Sequence, residues 1–199
     1  WIISNGKEEF EFDKLISTIP LQELIKALDD VPEKVTEAVN NLKFNSLITV
    51  GIGIDKSKIN DFSWLYIPDK DVLTHRVSFP SNYSPNVAPE GKSSALAEIT
   101  YREGDEISKM KDRDIVEKTV DDLDRLGIIN KEDVVLSTIY RFKYAYVIYD
   151  LNYKENLKAI FDYFNKIGID LVGRFARWAY LNMDSVIRET KDYVKRSLP

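Results

Sequence analysis

Residues 1–19, rich in apolar positions around a turn signal, read as a hairpin and a strand. WIIS and EEFEF flank Asn5-Gly6, a dipeptide that favours a tight hairpin turn, and KLISTI follows as a further strand. After Pro20, Leu21, Leu24, Ile25 and Leu28 recur at helical spacing, and after Pro32, Val35, Val39 and Leu42 do the same. SLITVGIGID returns to a strand. Its Gly51-Ile52-Gly53 lacks the third glycine and the following helix of a dinucleotide fingerprint, so it reads as close backbone packing or a bulge. Beyond the loop DKSKINDFS, SWLYI and LTHRVSF are strands joined by the turn Pro68-Asp69-Lys70-Asp71. PSNYSPNVAPEGKSS is an irregular loop pinned by its prolines, and ALAEITY is another strand.

Residues 112–126 carry Ile115, Val116, Val120, Leu123 and Leu126 on one helical face, with Gly127 suited to the position after the helix. VVLSTIYRFKYAYVIYD reads as one or two strands with a bend. A helix over 154–167 turns Leu157, Ile160, Phe161 and Phe164 inward and closes at Gly168. Ile169 to Val172 form a short strand, and a last helix starts near Asn182–Asp184 with Val186, Ile187, Thr190 and Val194 on one side. Strands and helices interleave without a strict βαβ rhythm. The fold expected is α+β, a mixed, largely antiparallel sheet flanked by helices.

Composition narrows the function. The 199 residues are 44% hydrophobic and 31% charged, which is globular and suits one substantial domain or one and a half small ones. A net charge of −5 argues against a nucleic-acid or anionic-membrane surface, while a local basic pocket stays open. No apolar run reaches the length of a membrane span, and no signal-peptide pattern is present. With no cysteine and one histidine, the chain holds no disulfide, no thiol nucleophile, no cysteine metal site and no multi-histidine metal site. These features fit a cytoplasmic protein. Because residue 1 is Trp and the chain opens in mid-strand, an excised piece of a longer protein is expected.

Three segments can supply a polar aromatic site. In residues 64–86, strand alternation sends His75 and Arg76 to opposite faces; Arg76 is the one taken to face a pocket, His75 a surface or edge residue. Tyr66 and Tyr83 can donate hydroxyls to a phosphate or pack with wet tips. In residues 141–146, Phe142, Tyr144 and Tyr146 share a face, either as sheet packing or as a ligand platform. In residues 171–189, a strand leads through Gly173 to Arg174, Trp178, Tyr180 and Asn182, then into a helix N-terminus. That order either places free N–H groups near a bound anion or is an ordinary connection with Arg174 in solvent. Arginine forks match phosphate oxygens, so a phosphate-bearing ligand suits the set.

GRFARWAYLNMD, residues 173–184, resembles the C-terminal flavin-binding signature of the amine-oxidase-like FAD flavoprotein superfamily, in which it is similar to UDP-galactopyranose mutases and protoporphyrinogen-oxidase-like proteins. SNYSPN, residues 81–86, and the Arg-Phe run at 141–146 match further mutase segments. The resemblance implies the substrate domain of an FAD-linked flavoprotein plus remnants of its FAD domain: returning strands at 1–19, a substrate-binding domain at 20–167, and a C-terminal strand and helix at 168–199. It implies substrate contacts at Tyr66, Arg76, Tyr83, Tyr146, Tyr180 and Asn182, and cofactor contacts at Gly173, Arg174, Met183 and Asp184. No side chain is implied as a nucleophile and no metal is implied, because in that family reduced flavin attacks the anomeric carbon of UDP-galactopyranose and displaces UDP.

The glycine-rich ADP-binding motif of the family is missing from this sequence. The chain alone is therefore expected to hold FAD weakly or not at all and to be inactive, although the full-length protein is expected to be an enzyme. Met183 also stands where eukaryotic mutases have glutamine, and the link from Tyr180 to the Asn-x-Asp corner is shorter. The implied partner is a nucleotide-sugar or another small molecule, not nucleic acid. Apolar surface that would face an FAD domain leaves room for a homo-oligomer. The alternatives are an FAD-dependent oxidoreductase of the amine-oxidase or protoporphyrinogen-oxidase type and a non-catalytic binding module.

Overall fold

The computed structural model describes residues 1–197. Along it run β1 (Ile2–Ser4), β2 (Glu9–Glu11), β3 (Leu15–Ser17), α1 (Leu21–Lys26), α2 (Glu33–Asn40), β4 (Lys43–Ile54), β5 (Trp64–Tyr66) and β6 (Arg76–Ser78). Then follow β7 (Ser93–Tyr101), α3 (Glu106–Lys109), α4 (Asp112–Arg125), β8 (Val134–Ile148), α5 (Tyr153–Ile167), β9 (Ile169–Leu171) and α6 (Met183–Ser197). The chain divides into two compact units, Asn45–Ala145 and the combination of Trp1–Phe44 with the chain from Tyr146 onward.

The Asn45–Ala145 unit is built on a five-stranded sheet in the order β5-β6-β7-β4-β8. The β4–β7, β5–β6 and β6–β7 pairs are antiparallel, so the α+β, largely antiparallel expectation holds. Period-two alternation decides which face is covered. Ile48, Val50 and Ile52 of β4 lie opposite Ile99, Ala97 and Ala95 of β7, and all six are buried. Ile115, Val120 and Leu123 of α4 join the same core, as the helical spacing required. The other face carries Gly51 and Gly53. A Cβ on Gly51 would stand 2.7 Å from Thr138 Oγ1, and one on Gly53 would stand 3.3 Å from Leu136 Cβ. The glycine pair therefore marks close packing against β8.

Of the one or two strands expected over VVLSTIYRFKYAYVIYD, one forms, β8. Of LTHRVSF only Arg76–Ser78 is strand, because its partner β5 is three residues long. The short α3 has no apolar periodicity to announce it.

In the other unit β1 and β2 form the hairpin, with Asn5 Oδ1 accepting the N–H groups of Lys7 and Glu8 at 2.9 Å each. β3 and β9 pair in parallel, which ties the two ends of the chain together. α5 packs on α2 and β9 and closes at Gly168 in the left-handed region, φ 77°. Leu21, Val39, Ile160, Phe164, Ile169 and Trp178 are fully buried there. These contacts group α1, α2 and α5 with the first and last segments. α6 buries none of its residues. It is held through Tyr193, whose hydroxyl donates to Asp170 Oδ2 at 2.6 Å, and through Arg177–Glu189 at 2.7 Å.

Candidate functional site

The chain leaves β9 through Gly173, which is buried at φ 88°, a conformation that L side chains resist. One helical turn follows. The Arg177 N–H donates to the Gly173 carbonyl at 3.0 Å and the Ala179 N–H to the Arg174 carbonyl at 2.9 Å. Trp178 ends the turn at φ 49°, unusual for a bulky residue, and is fully buried with the Phe44 ring edge-on at 5.8 Å. The reversal sets Tyr180 against Arg174, whose guanidinium carbon stands 4.5 Å from the Tyr180 ring centre and 5.8 Å from that of Tyr146. Tyr146 and Tyr180 are stacked at 6.0 Å, and Arg174 Nη1 donates to the Leu181 carbonyl at 3.1 Å. Residues from β8 and from the turn after β9 thus form one cluster, a half-buried cation against two tyrosines.

Beside it α6 begins. The Val186 N–H donates to the Asn182 carbonyl at 3.0 Å, which fits Asn182 as the cap residue, and Asp184 lies in the first turn. Asn182 and Asp184 are exposed, and Met183 is 85% exposed. Arg174, Leu181, Asn182, Met183, Asp184, Val186 and Ile187 line an open groove of about 700 Å³.

The other sequence-derived residues lie in the Asn45–Ala145 unit. Tyr66 and Arg76 are cross-strand neighbours, so both sit on the face opposite the core. Arg76 is directed onto Glu98, with Nε and Nη2 donating to Glu98 Oε1 at 2.9 and 2.5 Å. Glu98 is 6% exposed. Tyr66 is exposed, and Tyr83 donates its hydroxyl to the Ser63 carbonyl at 3.0 Å. Asn82 Nδ2 donates to the carbonyls of Phe62 and Asn60 at 2.7 and 3.0 Å, which pins the SNYSPN loop. His75 is half-buried at the start of β6, and burial pushes its imidazole below the ordinary value, with Glu98 opposing and Arg76 adding to the shift. Among the described residues, no three His, Asp or Glu side chains are grouped to hold a metal ion.

Sequence reasoning missed Glu98, Tyr149 and Tyr153. Glu98 had a readable signal, since ALAEITY places one carboxylate among apolar positions of a strand. Tyr149 and Tyr153 had none. Tyr153 donates its hydroxyl to the Trp178 carbonyl at 2.7 Å, and the Tyr180 N–H donates to Tyr149 Oη at 2.6 Å.

The fold recurs in several solved enzyme structures. It is similar to reduced UDP-galactopyranose mutase, with a TM-score of 0.82 and 23% identity over 95% of this chain and 42% of that one. It is similar to a protoporphyrinogen-oxidase-like protein from Exiguobacterium sp. 255-15, with a TM-score of 0.78 and 14% identity over 98% and 43% of the two chains. It is also similar to a redesigned putrescine oxidase, with a TM-score of 0.66 and 12% identity over 96% and 44%. The chain spans less than half the length of these structures. Residues 2–153 match the family model of flavin containing amine oxidoreductases, and the chain belongs to that family.

The residues present fit one part of a flavin. The groove at the start of α6 offers an apolar wall of Leu181, Met183, Val186 and Ile187 beside the Arg174 cation, which suits the edge of a ring system. Asp184 in the first turn of α6 disfavours a phosphate there. Gly51 and Gly53 are paired to Leu96 and Ser94 of β7, so they form no phosphate cradle.

Proposed function

We propose that the chain supplies substrate and flavin-ring contacts of an FAD-dependent UDP-galactopyranose mutase. The observation that carries this reading is the Arg174 cluster, in which Tyr146 and Tyr180, from two segments that each resemble the mutases, stack beside one cation. In this reading the Tyr146 and Tyr180 hydroxyls donate to the diphosphate of the nucleotide-sugar. Within the Asn45–Ala145 unit, considered by itself, Arg76 and Tyr66 are a pair able to bind phosphate oxygens, and Tyr83 holds the loop beside β5. Asn182 donates to the sugar or the flavin edge. Gly173, Arg174, Met183 and Asp184 shape the cofactor side. Bound and reduced, the flavin supplies the nucleophile for the anomeric carbon, and the side chains orient, bind charge and exclude water.

The test uses the full-length protein, reduced with dithionite and given UDP-galactofuranose. Formation of UDP-galactopyranose without net oxidation is expected. No conversion together with no UDP binding would sink the reading.

A second reading rests on Glu98. Its buried carboxylate already compensates the Arg76 charge, which weakens Arg76 as a diphosphate clamp and suits an oxidoreductase of the amine-oxidase type acting on an uncharged or cationic substrate. Under that reading Arg76→Ala leaves substrate affinity unchanged in the protein that remains folded.

A further inference from the structure

We propose that Tyr149 and Tyr153 are positioning residues of the Arg174 site, their hydroxyls fixing the Trp178–Tyr180 backbone so that Tyr180 stays against both the Tyr146 ring and the Arg174 guanidinium. The proposal rests on reading Tyr180 and Arg174 as ligand contacts.

Trp178 supplies the reason a brace is needed. A buried bulky residue in the left-handed region persists only when its surroundings over-determine it. Here the Tyr153 hydroxyl donates to the Trp178 carbonyl at 2.7 Å, and Tyr149 Oη accepts the Tyr180 N–H at 2.6 Å. The two peptide groups flank Ala179, so the hydrogen bonds clamp the point where the chain reverses. Tyr149 and Tyr153 stiffen each other, with ring centres 4.6 Å apart and edge-to-face at 77°. Both are anchored outside the turn. Tyr149 directly follows β8, the strand that carries Tyr146, and Tyr153 is the first residue of α5. A shift of either hydroxyl is thereby transmitted to the Tyr146–Tyr180 stack without either tyrosine touching a ligand. Burial, and then the neighbouring Tyr149, push the Tyr153 phenol up to about 12, so it stays a donor throughout the neutral range.

The test compares Tyr149→Phe and Tyr153→Phe in the flavin-loaded full-length protein. Each keeps its ring and removes one hydroxyl, and thermal melting checks that both fold. KM for UDP-galactofuranose is expected to rise about tenfold in each, with a smaller change in kcat, as for a misplaced contact. Tyr149→Phe is expected to add little to KM in a Tyr180→Phe background, because the contact it positions is already gone. The visible flavin spectrum is expected to shift in both single variants as Arg174 moves. Unchanged KM and an unchanged flavin spectrum in both folded variants would overturn the proposal, as would full additivity with Tyr180→Phe. If the wild-type protein turns over no UDP-sugar but the variants still shift the flavin spectrum, the mutase reading fails and the positioning role stands. If the spectrum is also unmoved, both fail.

Discussion

Arg76 and Glu98 face each other in the register of β6 and β7, with Glu98 6% exposed and two guanidinium nitrogens donating to one of its oxygens. Removing one member of such a pair leaves a buried charge without that partner, which costs about 3–5 kcal/mol, more than the pair itself contributes. Arg76→Ala is therefore expected to destabilise by about 3 kcal/mol, and Glu98→Gln by less, because the amide still accepts a hydrogen bond. Urea unfolding measures both, and an Arg76→Ala midpoint equal to wild type would contradict the pairing. Gly51 is decided by space instead. A methyl there meets Thr138 Oγ1 at 2.7 Å, so Gly51→Ala is expected to cost about 1–3 kcal/mol. In a Thr138→Ala background most of that cost should vanish, because the atom in the way is gone. A double-mutant cycle showing additive losses would place the strain in the backbone.

At the scale of elements, α6 stands apart. It has an apolar side, yet none of its residues is buried, and the described contacts that hold it are polar: Tyr193 to Asp170, Arg177 to Glu189 and Lys14 to the Ser197 carbonyl. Few buried apolar contacts mean a low local opening energy. Amides of α6 are expected to exchange with solvent well ahead of those of α5, whose Ile160 and Phe164 are fully buried, and hydrogen-exchange mass spectrometry reads the difference. The start of α5 predicts a pH dependence. Tyr153 has a folded value near 12 and an unfolded value near 10, so its contribution is complete below pH 10 and is lost as pH rises through about 12. Alkaline unfolding of Tyr153→Phe should lose less stability across that window than wild type. The elements best read from sequence were those with a strong period: the hairpin, α4 and α5. Turn, strand and helix around Arg174 were also legible, because glycine, arginine and an Asn-x-Asp corner are local signals. The partners were not. Glu98 lies twenty-two residues from Arg76, and the tyrosines that clamp Trp178 and Tyr180 lie twenty-five and thirty-one residues away, so only strand register and helix packing bring them in.

For the molecule as a whole, the question is which part of a flavin these 199 residues can hold. A dinucleotide's pyrophosphate is bound by unpaired backbone N–H groups where a strand turns through glycines into a helix. The sequence has one Gly-x-Gly, and it lies in the middle of β4, with both glycines in the ladder to β7. The groove beside Arg174 is apolar and open and carries Asp184, so it suits a ring edge and disfavours phosphate. Contact with a ring edge alone forfeits the charge-assisted hydrogen bonds to the pyrophosphate. Titration of FAD into the 199-residue chain is therefore expected to leave flavin fluorescence unquenched at micromolar concentrations. The full-length protein is expected to retain the cofactor, and Arg174→Ala in that protein should change the flavin spectrum more than it changes retention. Micromolar binding by the isolated chain would mean that backbone groups outside the Arg174 cluster hold the pyrophosphate, and the search would move to the loop of Ser81, Asn86 and Lys92.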